Sequence, residues 1–140
     1  MFRRRYYNYK FRFISSLIVG IILLINAGFV SYKQETLTCN LSENSCKVLR
    51  VNYFNQKKTV SLTKPYDISD VIVIKTQERY KKRGHNEYYT AYHVSFLDVN
   101  NNRMHVFATE YRDSDAAQNK VNQIKEKLLN HDNEIIVKRK

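Results

Sequence analysis

The sequence predicts an α+β protein: an N-terminal transmembrane helix, then an antiparallel β-meander or half-barrel, capped by a C-terminal amphipathic helix. Three observations predict this order. An uncharged apolar run begins at Phe13, segments rich in β-branched and aromatic residues follow it, and near Asp113 the apolar spacing lengthens. Alternation with a period of two is typical of strands, whereas spacing of three and four residues is typical of an amphipathic helix.

The N-terminal segment joins a basic flank to an apolar run. Residues 13–30 carry no charged side chain, and a helix of about 20 apolar residues crosses the hydrocarbon core of a bilayer. No acidic residue occurs before Glu35, and the basic residues of the flank are Arg3, Arg4, Arg5, Lys10 and Arg12. Basic flanks stay in the cytoplasm. We therefore expect a single pass through a bacterial cytoplasmic (inner) membrane, with residues 1–12 cytoplasmic, 13–31 spanning and 32–140 extracytoplasmic.

A cleaved secretory signal is the alternative interpretation of this segment. Signal peptides end in a small-residue motif of the A-x-A type, after an apolar region of about 7–15 residues. Here Ala27 and Gly28 are followed by Phe29, and the residue two before Gly28 is Asn26. The apolar run is also longer than that range. The sequence therefore favours an uncleaved signal anchor.

Composition allows one small domain beyond the span. About 105 residues remain, which is enough for one domain and not for two. The chain has 24 Lys and Arg, five of them in the flank, which leaves 19 against 13 Asp and Glu, or a net charge of +6. A basic exterior favours anionic lipid head groups, cell-wall polyanions or acidic proteins. An extracytoplasmic location argues against a nucleic-acid partner.

The two cysteines of the chain, Cys39 and Cys46, lie just beyond the predicted span. The polar residues between them predict a turn that joins two short strands in a hairpin. In an oxidising compartment such a pair forms a disulfide, which we expect to restrain the junction between anchor and sheet. Free thiols and a redox or metal-binding pair are the alternatives, although the C-x-x-C spacing that is typical of redox pairs is absent.

Alternating and β-branched segments predict the strands, and turn-forming residues separate them. The predicted strands are residues 37–39, 46–54, 59–62, 68–76, 88–98 and 103–109. Residues 55–58 and 99–102 are predicted turns, and Pro65 interrupts the chain because it cannot donate to a central ladder. The charged residues 78–87 are predicted to form an exposed hairpin loop.

The C-terminal region predicts one helix and a short strand. Asp113 or Ser114 caps the helix, and Asn130 or His131 ends it. The predicted apolar stripe is Ala117, Val121, Ile124 and Leu128, and the residues predicted to face water are Lys120, Lys125 and Lys127. Because an isolated helix of this length is marginal, the stripe must pack on the sheet. Residues 134–137 are predicted to add an edge strand.

This order of elements resembles the small bacterial membrane-anchored pleckstrin-homology-like (PH-like) domain proteins. The resemblance covers residues 35–137 and rests on four segments: residues 39–46, residues 68–71, the hairpin that contains Tyr92, Arg103 and Phe107, and residues 116–129. It implies a half-barrel of strands capped by a helix, with a binding or scaffolding role. It transfers no catalytic residues. The extracytoplasmic location differs from that of cytoplasmic lipid-binding relatives of this fold.

The best surface candidate is a basic segment at residues 79–85. It combines cations with an aromatic side chain, and its candidate residues are Arg79, Tyr80, Lys81, Lys82 and Arg83. Such a cluster suits an anion or an acidic partner. The alternative is a solvated loop whose charges only keep the tip soluble.

The four histidines give no predicted metal site. If residues 100–102 form the turn, His105 lies opposite Phe96 or Leu97, which places His93 roughly 10–13 Å away, too far to share an ion. His85 falls in the predicted loop, and no H-x-x-x-H pair occurs on a helix. We therefore predict neither a metal nor another cofactor.

The sequence predicts an interaction or scaffold module without catalytic activity. It contains no Gly-rich phosphate loop and neither the G-x-S-x-G nor the S-x-x-K motif. The expected partners are the lipid bilayer and another membrane or envelope protein, with no nucleic acid and no small-molecule substrate. The alternative is an accessory or immunity-type inhibitor subunit of an envelope enzyme or transporter that acts through residues 79–85.

Overall fold

The N-terminal helix is largely uncovered by the rest of the molecule. The computed structural model describes residues 3–130 and 133–139, with side chains from Phe13 onward, and its first helix, α1, is Arg3–Val30. The window Phe13–Val30 has a mean hydropathy of 2.4 and none of it is buried in the protein. By length and composition α1 can cross a membrane.

A four-stranded antiparallel sheet follows the helix. Its strands are β1 (Tyr32–Asn40), β2 (Ser45–Asn52), β3 (Lys57–Ser61) and, from the C-terminus, β7 (Glu134–Arg139), in the order β3-β2-β1-β7. Alternate side chains of β1 and β2 are buried, as period-two patterns predict. The prediction of an edge strand after the last helix is confirmed. β1 is longer than the predicted residues 37–39 because pairing with β2 and β7 extends it.

The second sheet holds β4 (Ile68–Lys82), β5 (His85–Asp98) and β6 (Arg103–His105), in that order. The prediction of an exposed loop over residues 78–87 is wrong, because β4 and β5 pair through Lys82 and His85. Only Arg83 and Gly84 form the turn, with φ of 48° and 84°. Two positive φ angles are typical of the tight turn that joins twisted hairpin strands, and Gly adopts them at little cost.

β6 is shorter than the predicted strand 103–109 and ends at His105. The carboxylate of Glu35 explains the early end. It accepts hydrogen bonds from the backbone N–H groups of Ala108 (2.8 Å) and Thr109 (3.0 Å), so these groups bond to a side chain of the first sheet. Val106 and Phe107, just before them, are buried in the core.

The C-terminal helix α2 is Ser114–Leu129 and packs on the second sheet and β7. Asp113 caps it by accepting from the N–H groups of Asp115 (3.2 Å) and Ala116 (3.3 Å), and Asn130 ends it. The predicted stripe is confirmed, with three of its residues buried and Leu128 packed against the core. Two predicted water-facing lysines are corrections. The Lys125 ammonium lies 2.7 Å from Asp70 of β4, and the Lys120 ammonium donates to the backbone oxygen of Lys138 in β7 at 2.9 Å.

The chain is therefore α+β, with an apolar N-terminal helix, two antiparallel sheets and a C-terminal helix. One core lies between the sheets and α2. Its buried aliphatic and aromatic members include Leu37 and Val48 from the first sheet, Val94 and Phe96 from the second, and Ile124 from α2.

Candidate functional site

The disulfide predicted between Cys39 and Cys46 is present, and it is buried. The two residues are direct partners in the β1–β2 register. Its expected place at the junction with the anchor is wrong, because Cys39 lies seven residues after Tyr32, or roughly 23 Å along a strand. The bond instead closes the far end of the hairpin, beside β7.

The β2–β3 turn, rather than the disulfide, contacts the C-terminal end of α1. The ring of Phe54 packs on Phe29 with 4.6 Å between centroids, and a Cβ at Gly28 would overlap that ring. Buried Asn52 organises the turn, since its side-chain oxygen accepts from the N–H groups of Phe54 (3.0 Å) and Gln56 (2.9 Å). A larger side chain at position 28 would displace the Phe54 ring, so Gly28 permits this contact as it stands.

β4 and β5 extend beyond the end of β6 as a two-stranded ribbon, residues 77–90, which we call the basic arm. β6 pairs with β5 only from Ser95 to Leu97, so the basic arm is not flanked by β6. Backbone pairing holds the arm in a defined shape, and side chains on it point alternately to opposite faces.

This alternation splits the predicted basic patch. Tyr80 and Lys82 lie on one face of the basic arm, where Tyr80 donates a hydrogen bond to Glu87 and Lys82 pairs with the same carboxylate at 3.8 Å. This hydrogen bond raises the pKa of the Tyr80 hydroxyl above its ordinary value. Arg79 and Lys81 project from the other face, while Arg83 lies in the turn.

The face of the basic arm that carries Arg79 and Lys81 is the more available of the two for binding a partner. Neither cation has an ion pair or side-chain hydrogen bond within residues 13–130 and 133–139, where side chains are described. Tyr88 is the register partner of Arg79 and is 63% exposed. Two uncompensated cations beside an exposed aromatic ring form a surface that favours an anionic partner.

The opposite face of the second sheet brings together His93 and His105, which the sequence predicts to lie far apart. His105 pairs with Ser95, not with Phe96 or Leu97, so it lies only two positions from His93 on the same face. The two imidazoles stack with 4.6 Å between ring centroids. The predicted separation is therefore wrong, because a one- or two-residue slip in register moves a side chain along or across a sheet.

His93 also meets two carboxylates. One ligand atom from each of Glu78, His93 and Glu110 lies within 4.8 Å of the others. Thr76 sits beside them, with its hydroxyl 3.1 Å from His93 Nε2 and 3.1 Å from Glu78 Oε1. We call Glu78, His93 and Glu110 the carboxylate–histidine cluster. Nothing in the linear spacing of these three residues indicates a site.

The surroundings of the cluster set its charge. Arg112 Nε lies 3.2 Å from Glu110 Oε1 and its guanidinium stacks over the Tyr89 ring. A hydrogen bond to Glu110 raises the pKa of the Tyr89 hydroxyl. Burial lowers the pKa of the His105 imidazole, and the neighbouring His93 lowers it further, so neutral His105 is favoured. Glu110 is thus already engaged by two donors.

Another acidic residue, Glu35, is buried between the two sheets and has a structural role. Its carboxylate lies 3.0 Å from Arg50 Nε and 3.8 Å from Arg139 Nη1, besides its two backbone donors. Arg139 also stacks over the Tyr111 ring at 4.3 Å. With both oxygens occupied by donors, Glu35 is satisfied and tied in place. It offers no free atom for chemistry.

Comparisons of the chain with family models, curated proteins and solved structures find no match.

Proposed function

We propose that this chain is a single-pass membrane protein whose PH-like domain is an extracytoplasmic interaction module without catalytic activity. Three features support the location in the cytoplasmic membrane. None of the apolar part of α1 is buried by the domain, the basic residues precede it, and a disulfide joins Cys39 to Cys46. Basic flanks favour a cytoplasmic N-terminus, and disulfides persist in oxidising compartments.

The turn between β2 and β3 holds the domain close to the bilayer in this proposal. Tyr53 and Phe54 are exposed at the end of the span, next to exposed Val30. Aromatic rings favour the level of the lipid head groups, and the exposed cations Lys57 and Lys58 follow at the start of β3. The bilayer is thus the first partner.

The basic arm is the proposed contact with the second partner, an acidic membrane or envelope protein. The observation that carries this proposal is that Arg79 and Lys81, which have no ion pair among the residues whose side chains are described, lie beside exposed Tyr88 on a backbone-paired ribbon. An ordered surface loses less conformational entropy on binding than a flexible loop does. The same surface serves the alternative, an accessory or inhibitor subunit of an envelope enzyme or transporter.

Site-specific crosslinking tests this contact in the native membrane. We expect a photoreactive residue at position 88 to capture one protein, and Arg79→Glu with Lys81→Glu to reduce capture about tenfold or more, since like charges oppose association. Lys47→Glu with Lys64→Glu, an equal charge change at exposed sites elsewhere, should leave it unchanged. No capture at position 88, or equal loss in both double variants, would refute the contact.

The captured protein separates the two roles. If it is an enzyme or transporter whose activity changes in the Arg79→Glu and Lys81→Glu variant, the chain is an accessory or inhibitor subunit. If its location changes but its activity does not, the chain is a scaffold.

A further inference from the structure

The carboxylate–histidine cluster is assembled from three separate parts of the fold. Glu78 comes from β4, His93 from β5, and Glu110 from the segment between β6 and α2. Their ligand atoms lie within 4.8 Å of one another. In a tetrahedral site with metal–ligand bonds of about 2.1 Å, ligand atoms are about 3.4 Å apart. Small rotations of the two long Glu side chains therefore suffice to close around an ion.

The backbone under the cluster is well fixed. Ala91, on the same strand face as His93, is fully buried, and Tyr111 exchanges two backbone hydrogen bonds with Tyr92 at 2.9 and 2.8 Å. This bridge places Glu110 next to β5. The side chains of His93 and Glu110 are only 13% and 23% exposed, whereas that of Glu78 is 43% exposed. The site is thus partly buried at His93 and Glu110 and accessible to solvent at Glu78.

The donor set selects a class of ion. Imidazole suits Zn²⁺, Fe²⁺ and similar borderline metals, whereas Ca²⁺ and Mg²⁺ prefer oxygen ligands alone. Three protein ligands leave a coordination position open for water. The neighbouring His105 is anchored through Nδ1, 2.7 Å from Ser95 Oγ, and its ring supports His93 from the side. We propose that Glu78, His93 and Glu110 bind a borderline divalent cation of the Zn²⁺ class.

Arg112 is the main competitor for the ion. Its guanidinium contacts the Glu110 carboxylate and places a positive charge beside the proposed cation. Its side chain is 65% exposed, so it can swing into solvent when the ion binds. Removal of this charge should strengthen binding, which a merely structural polar network would not show. Arg112→Gln should lower the dissociation constant for Zn²⁺ about tenfold, a change equivalent to 1.4 kcal/mol.

The test uses the full chain in detergent, titrated with Zn²⁺ alone and with Co²⁺ as a spectroscopic probe. We expect one bound ion per chain, Co²⁺ absorption bands of a mixed nitrogen and oxygen site, and much weaker binding of Ca²⁺. His93→Ala should weaken Zn²⁺ binding about 100-fold, because a direct ligand matters at least as much as an outer partner. The matched control is His85→Ala, which removes an exposed histidine from the tip of the basic arm.

Each outcome decides the proposal. Weaker binding in the His93→Ala and Glu110→Gln variants, unchanged binding in His85→Ala and tighter binding in Arg112→Gln support it. No binding to the wild-type chain, or equal affinity in the wild-type and His93→Ala chains, overturns it. Thermal unfolding without metal serves as the folding control, and Glu110→Gln keeps the variant close in shape to the native residue. The crosslinking at position 88 is independent of these results.

Discussion

At the scale of single residues, Glu35 is a buried charge whose position the sequence indicates but whose partners local patterns do not reveal. Glu35, Leu37 and Cys39 alternate on one face of β1, so a charge occurs where the pattern requires burial. Pairing Cys39 with Cys46 also places Arg50 opposite Glu35. The hairpin register was therefore a usable signal for this ion pair. The contacts with Ala108 and Arg139 come from distant segments, and local patterns carry no information about them.

Replacing Glu35 should cost much more stability than replacing an exposed glutamate. Glu35→Gln keeps the volume but leaves Arg50 and Arg139 without their shared counter-charge. Breaking a buried ion pair on one side costs about 3–5 kcal/mol in free energy of unfolding. Glu134→Gln, at an exposed position of β7, should cost less than about 0.5 kcal/mol. Denaturant unfolding of the full chain in detergent measures both, and equal values would contradict the structural role of Glu35.

At the scale of elements, hydrophobic period predicts most of the fold. The helix after Asp113, the hairpin of β1 and β2, and the edge strand β7 follow from spacing and turn chemistry. The basic arm does not follow from hydrophobic period, because the charged residues 79–83 show no apolar alternation. Backbone pairing between β4 and β5 forms the strands there. A signal was present: the tyrosines on either side of Arg83 and Gly84 favour strands, and Gly84 favours the tight turn between them.

Introducing a carboxylate on the buried or on the exposed face of α2 tests whether this helix packs on the sheet. Ile124→Asp puts an unpaired carboxylate in the core and should cost about 4 kcal/mol or more, enough to unfold a small domain. Asn122→Asp makes a similar change on the exposed face of α2, where Asn122 accepts from Gln118 at 3.1 Å. It should be within about 0.5 kcal/mol of wild type. Comparable loss of thermal stability in both variants would mean that α2 does not dock as described.

At the scale of the whole molecule, the chain joins an apolar helix, a domain with a disulfide-closed hairpin, and a projecting two-stranded ribbon. Composition and charge predict the apolar helix, and the two cysteines predict the disulfide-closed hairpin. The carboxylate–histidine cluster is the part that sequence could not supply, because it depends on the register of β5 with β6 and on the Tyr92–Tyr111 bridge. Side chains from three segments meet only after those pairings form.

The location of the domain is the central claim, since the proposed partners all follow from it. Two reporters fused after Lys140 test it directly, one active only outside the cytoplasm and one active only inside it. The basic flank before α1 predicts activity of the first reporter, retained in the membrane fraction with an uncleaved chain, and silence of the second. Activity of the cytoplasmic reporter alone would contradict the account, and with it the proposed partners beyond the membrane.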